Sequence, residues 1–568
     1  MCHTRLPSIT ETPNELTSAI DLADPVGIVR LLRAVDAQIY NGYRAFPALC
    51  DTQVVHGIAQ AIEWAAPLLG RNQDRVLISG AGTSGRLAMV AARTFNRHLV
   101  TNRRGANLRY LIAGGNLALI KAQEGAEDDP AQALTDLDTV LGDARRVLYI
   151  GVTCGLSAPY VASQIFELAK RRDTRCILIG FTPEDRARDV EVEQWDKTFA
   201  DVIRSVRRKS NCLVLNPVVG PEAITGSTRM KGGSATKLLL EVILSLALRR
   251  PLARRTLALD IADALRAYEE TRATVYEETL AIADLVALGG NALRRRRHIY
   301  YVGADPVGVL GIVDASECPP TFGADFDDVR GFLGGGWRTL LGRGHDLSEA
   351  GPWYRISLDD FHADIVPGLR RNDLVVAVSA DRWSAPVVRA LKAARRKRAA
   401  VAAVQLGSDA RPPCPLDAHV RVGPFPRWYL ETLPLFEEYA AKLVLNALTT
   451  GAHILAGKVY ENRMIDLRIS NNKLYHRTIG IIQAITGVSA DRAKRCLLRS
   501  IYGVDRVPPK LLRARPSHHV DAATNAAKVV PRALIMAGGR ATGAEAAAIL
   551  EKEPIVRAAI DKLKKAKT

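Results

Sequence analysis

Short apolar runs alternate along most of the chain with longer stretches whose apolar residues recur every three or four positions. The short runs read as buried strands and the periodic stretches as helices covering them. Val76-Leu77-Ile78-Ser79 is one such run, Leu87 to Ala92 is helix-like, and Gly80-Ala81-Gly82-Thr83-Ser84-Gly85 turns the chain between them. The unit returns in altered form: His298-Ile299-Tyr300-Tyr301-Val302 leads into Gly303-Ala304-Asp305-Pro306-Val307-Gly308, 223 positions later. A second landmark repeats as well. Ser157-Ala158-Pro159 follows the run Arg146 to Gly151, and Ser384-Ala385-Pro386 follows Leu374 to Val378, 227 positions on. Two landmarks with nearly equal offsets predict a duplicated α/β domain, each copy a parallel sheet flanked by helices.

The organisation expected from this pattern has four parts. Residues 1–45 read as a helical lead-in, 46–285 as the first α/β domain and 286–450 as the second. Residues 451–568 read as an all-helical C-terminal cap. The first domain ends in a long helical stretch around Ile261 to Leu288. In the cap, Leu443 to Lys458, Leu474 to Leu498 and Ala522 to Lys567 carry helical periodicity, with Pro508-Pro509 and Pro516 breaking the helices between them.

The two glycine turns differ in chemistry. A strand, a glycine turn and a helix start point backbone N–H groups at an anion. In the first copy Thr83 and Ser84 add two hydroxyl donors. In the second, Pro306 removes an amide donor and Val307 a hydroxyl, so one phosphate cradle is intact and one is lost. The loop from Asn216 to Ser234 brings Ser227, Thr228, Arg229 and Lys231 to another loop-to-helix junction that could add to an anion site. Two acidic clusters, Glu124 to Asp128 and Asp314 to Glu317, suit general acid/base work, sugar hydroxyls or plain surface helix starts.

Composition adds exclusions. No apolar run reaches membrane-spanning length, and the cysteines form no Cys-x-x-Cys pair, so neither a zinc site nor a disulfide framework is indicated. The first residues lack the apolar region of a signal peptide, so a cytoplasmic location is expected, with nuclear entry open. The net charge of +18 suits phosphorylated ligands or acidic partners, but Arg294–Arg297 and Arg395–Arg398 lack aromatic interleaving. Arginines spread over solvated helices, with no nucleic-acid partner, are the expectation.

Gly82-Thr83-Ser84-Gly85-Arg86-Leu87, Glu124 to Asp128, Gly155 to Pro159, Ser227 to Lys237, Thr321 to Phe326, Thr450 to His453 and Asp466 to Lys473 together resemble the glucokinase regulatory protein family. More distantly the chain is similar to the bacterial N-acetylmuramic acid 6-phosphate etherases, and both use the SIS (sugar isomerase) fold. The resemblance implies a fructose phosphate in the first of two tandem SIS domains, closed over by the second domain and the cap. It places the phosphate on Thr83 and Ser84, with Glu127, Thr153, Cys154, Gly155, Glu317 and Lys473 around the rest. It implies a monomer that inhibits a glucokinase or hexokinase, with no cofactor and no metal.

The etherase alternative is a lyase releasing lactate, with Glu124 and Glu317 as its working carboxylates. At the 223-residue offset Thr94 stands opposite Glu317, so the first half has no copy of that acid. Cys154-Gly155-Leu156-Ser157-Ala158-Pro159 has the regulator's form and lacks the etherase arginine, whereas Asp314-Ala315-Ser316-Glu317-Cys318-Pro319-Pro320 is closer to the enzyme.

Overall fold

The computed structural model describes residues 7–565 except 124, 192–194, 250–255, 305, 381, 427–431, 467–468, 470–471 and 524–525, and it leaves out the side chains of Asn472 and Lys473. Glu124 and the Lys473 side chain therefore lie outside the described residues. The chain opens with three short turns of 3₁₀ helix and helix α1 (Pro25–Asn41). Pro25 starts α1 behind Asp24, whose carboxylate accepts from the Gly27 N–H.

Two five-stranded, fully parallel sheets follow. The first runs β2-β1-β3-β4-β5 and comprises β1 (Asp74–Gly80), β2 (Leu108–Ile112), β3 (Arg146–Val152), β4 (Thr174–Ile179) and β5 (Cys212–Leu215). The second has β6 (Ile299–Gly303), β7 (Val329–Leu333), β8 (Leu374–Ser379), β9 (Ala400–Leu406) and β10 (Ala418–Val422). Its order, β7-β6-β8-β9-β10, repeats that of the first. Gly80 pairs with Ile112 and Val152, as Gly303 does with Leu333 and Val378. The duplication read from two short landmarks is thus a duplication of whole sheets. The inner strands are buried on both faces over most of their length, hence their continuous apolar runs, whereas the edge strand β10 alternates and exposes Arg421.

Helix α2 (Gly82–Thr101) follows β1, and α3 (Lys231–Leu248) follows β5. The helical stretch expected around Ile261 to Leu288 is made of two helices, α4 (Leu257–Glu277) and α5 (Thr279–Arg294), divided at Glu278. In the second half α6 (Gly308–Phe322) follows β6, and α7 (Leu435–Leu455) packs along α5 and against α6. A small antiparallel hairpin, Val459–Tyr460 with Arg463–Met464, opens the C-terminal region. The rest of that region is helical, with its own apolar core around Leu497, Val530 and Leu534. The stretch of helical periodicity from Leu474 comprises α8 (Asn472–Thr486) and α9 (Ala490–Tyr502), separated at Gly487 with φ +68°. Pro509 and Pro516 open helices instead of ending them, occupying first-turn positions where a missing N–H costs nothing. Among the described residues no helix is long and apolar enough to cross a membrane.

Candidate functional site

The cradle is set by close approach of backbone. A Cβ on Gly80 would sit 2.6 Å from Ser84 Cβ, and one on Gly85 would sit 2.7 Å from the Gly80 carbonyl oxygen. Only glycine at both places lets α2 begin directly off the end of β1. The second copy keeps the same contact, since a Cβ on Gly303 would meet Gly308 Cα at 2.6 Å. There α6 starts only at Gly308, the counterpart of Gly85, and Val307 is packed into the core at 1% exposure. The turn survives for folding while the donors do not.

Beside the first cradle lies a cavity of about 350 Å³, within the range of small-ligand sites. Thr83, Arg86, Glu127, Ser227 and Thr228 come to it from the first half, Glu317 and Thr321 from the second, and Met464 from the C-terminal hairpin. Glu317 crosses between the halves. Its Oε2 accepts from Thr83 Oγ1 at 2.6 Å, and its Oε1 accepts from Arg86 at 2.6 Å. Arg86 is held in turn by the carbonyls of Ala118 (2.6 Å) and Leu119 (3.1 Å). The Ser227 hydroxyl is buried and meets no hydrogen-bond partner among the described residues. An orphaned hydroxyl in the wall of a polar cavity is a place for a ligand oxygen.

Of the other residues marked by sequence, Ser84, Thr153, Cys154 and Gly155 do not line this cavity. Ser84 Oγ lies 3.9 Å from Cys154 Sγ, which is itself 3.9 Å from Thr236 Oγ1, and burial pushes the Cys154 thiol up to about 11. Thr153 Oγ1 accepts from the Ser157 N–H, and Gly155 is covered by Ser8 and Thr10. The expectation that Arg229 and Lys231 serve an anion changes. Arg229 lines the cavity, but its guanidinium is engaged by Asp314 Oδ1 (3.0 Å), Thr449 and Thr450. Lys231 is fully buried away from it and donates to Gln38 Oε1, its pKa pushed down to about 8 by desolvation. Asp314 and Glu317 are not surface acids, being 5% and 6% exposed within the contact between the halves. Thr94, which takes the place of a second Glu317, donates to Glu438 at 3.1 Å, and Lys237 also binds Glu438.

Three family models match the chain in order. They are the glucokinase regulatory protein N-terminal SIS domain at residues 58–169, its second SIS domain at 276–408, and its C-terminal lid domain at 461–560. The glucokinase regulatory protein of Homo sapiens is 34% identical over 578 residues, covering 97% of this chain and 92% of the human protein. That of Xenopus laevis is 32% identical, covering 93% of this chain and 88% of its own length. The chain belongs to the glucokinase regulatory protein family. The N-acetylmuramic acid 6-phosphate etherase of Symbiobacterium thermophilum is 37% identical over 227 residues, which is 39% of this chain and 72% of the etherase.

As expected, this family member has two tandem SIS domains followed by a helical C-terminal region. Within that frame the hairpin before the lid helices is tied to the site loop. Asn462 donates to the Asn14 carbonyl (2.7 Å) and to Thr17, while its own carbonyl accepts from the Thr225 N–H (2.8 Å). The lead-in, the loop ending at Ser227 and the hairpin carrying Met464 thus share one residue. Sequence reasoning missed Asn462, Met464 and the role of Arg86. Arg86 alone carried a signal, as the cation inside the glycine-turn motif.

Proposed function

We propose that this protein is a sugar-phosphate-responsive regulator that binds a ketose phosphate of the fructose 6-phosphate type and inhibits a glucokinase or hexokinase. The phosphate sits on the first turn of α2 with the Thr83 and Ser84 hydroxyls. Glu127 and Glu317 accept hydrogen bonds from sugar hydroxyls and Ser227 takes a further oxygen; the family resemblance adds Thr153, Cys154, Gly155 and Lys473, of which the first three stand outside the 350 Å³ cavity. The protein acts as a monomer whose two halves form an internal pair.

The observation that carries the reading is the Glu317 bridge. A residue of α6 in the second half reaches the cradle of the first, and Met464 of the C-terminal hairpin borders the same cavity. A ligand there competes for the hydrogen bonds of Thr83 and Glu317 and so favours one relative arrangement of three parts of the chain. Differential affinity of that kind is what a regulator needs to alter its outer surface. Relatives named glucokinase regulatory protein along nearly the full length support the choice of a kinase partner.

The etherase reading is favoured by the partial similarity to that enzyme and by the same Glu317. Against it, the turn Cys154 to Pro159 has the regulator's form and lacks the etherase arginine. The test is to assay a hexokinase-class enzyme with the purified protein, with and without fructose 6-phosphate, beside lactate release from N-acetylmuramic acid 6-phosphate. Inhibition that depends on the sugar phosphate, with lactate release absent or very slow, supports the regulator. Robust lactate release that is lost in Glu317→Gln makes the protein a lyase.

A further inference from the structure

The positive charge is not spread along the chain. Residues 451–568 hold 22 Lys and Arg against 9 Asp and Glu, so about a fifth of the sequence carries +13 of the net +18. Within them, residues 491–515 hold eight Lys and Arg against two Asp. This density coincides with a groove of about 760 Å³ between α9, the following prolines and the start of the helix Gly543–Lys552. Arg492, Arg495, Arg499, Arg506 and Arg540 line it, with Asp505 as the one acidic side chain on its wall among the described residues. A second hollow of about 190 Å³ continues across Arg492 and Arg540 to Lys564.

Local pairing does not use up this charge. Arg495 pairs with Asp491 at 2.7 Å, and Arg499 reaches Asp505 only at 3.8 Å. The buried Nε of Arg499 meets no acceptor among the described residues, and Arg506 makes no ion pair among them. A merely solvated basic face would be convex and wholly polar. This one is concave, and its floor is Cys496, Val507, Pro508, Pro509, Leu512 and Met536. Pro509 begins the short helix Pro509–Arg513, and Pro508 caps it in extended form, which stiffens that wall.

We infer that this groove is a docking surface for an acidic protein segment bearing aliphatic anchors, Asp or Glu side chains meeting the arginine rims and Leu- or Ile-like side chains the floor. Arginine is suited to such rims, because its planar fork binds carboxylates in pairs. A nucleic acid fits less well: among the described residues no aromatic ring lines the 760 Å³ groove to stack a base, and the apolar floor would lie under phosphates. The groove shares no lining residue with the cavity beside Thr83, so the inference stands apart from the sugar-phosphate reading.

The test uses the full chain and fluorescence anisotropy of a labelled synthetic peptide. The peptide has about fifteen residues, Glu with Leu at every third or fourth position, to match helix-in-groove spacing. Two further probes are the same peptide with Ser in place of Leu and a single-stranded DNA of equal net charge. Arg495 and Arg506 are both exposed, so Arg495→Glu/Arg506→Glu should leave the thermal midpoint unchanged. We expect that variant to bind the Leu peptide at least about tenfold more weakly, with Arg495→Lys/Arg506→Lys retaining most of the affinity. Binding should weaken as salt rises, and the Ser peptide should bind more weakly than the Leu peptide. Failure of the Leu peptide to bind, equal affinity in the charge-reversed variant, or tighter binding of the DNA would each overturn the proposal.

Discussion

Removing Arg86 should destabilise the join between the two halves, and removing its partner as well should restore most of the loss. Arg86 is 1% exposed and the Glu317 side chain 8%. Arg86→Met strips the donors from the Ala118 and Leu119 carbonyls and leaves Glu317 with Thr83 alone. Breaking a buried ion pair from one side costs about 3–5 kcal/mol, because the remaining charge stays desolvated and unpaired. The adjacent 350 Å³ cavity lets water reach the freed groups, which argues for the lower end. With a urea m-value of about 3 kcal/mol/M for a unit of this size, the loss lowers the unfolding midpoint by roughly 1 M. Arg86→Met/Glu317→Leu removes both charges and should return to within about 1–2 kcal/mol of the parent. The assay is urea unfolding followed by circular dichroism, with hydrogen exchange over residues 76–100 to locate the first unit to open. A single variant as stable as the parent, or a double variant no better than the single, would refute the claim that this pair holds the halves together.

Two other outcomes follow from the same geometry. Because Met464 borders the cavity and Asn462 ties its hairpin to the site loop, hydrogen exchange across residues 455–500 should slow when fructose 6-phosphate is added; unchanged exchange at saturation would remove the link between ligand and lid. His453 is fully buried, stacks on Phe322 and bonds the Thr449 carbonyl, and burial pushes its pKa down to about 3. The unfolded chain takes up this proton below about pH 6.5 while the folded chain does not, so stability is lost as pH falls, by about 2 kcal/mol between pH 7 and 5. His453→Gln should lose less stability than the parent over that interval by about this amount, as read from urea midpoints at the two pH values; equal slopes would contradict the assignment.

The tandem sheets were legible because a strand, a glycine turn and a helix packed this tightly tolerate little else at Gly80, Gly85, Gly303 and Gly308. The missing cradle donors were equally plain, since Pro306 and Val307 act through their own chemistry. What escaped the sequence depends on distant partners. Arg229 reads as a free cation until Asp314, Thr449 and Thr450 arrive from the second half. Asp314 and Glu317 are open to reading as surface acids because nothing local says that α6 faces the join. Prolines 509 and 516 read as breakers because a first-turn position and a break look alike without the helix that follows. The division between α4 and α5 at Glu278 has no glycine or proline to mark it.

The central claim is one working sugar-phosphate site per chain, built on the first cradle and completed by Glu317. Titration calorimetry with fructose 6-phosphate tests it most directly. A single site per chain is expected, lost in Thr83→Glu, where a carboxylate enters the cavity at the start of α2. Two equivalent sites per chain, or unchanged binding in that variant, would contradict it.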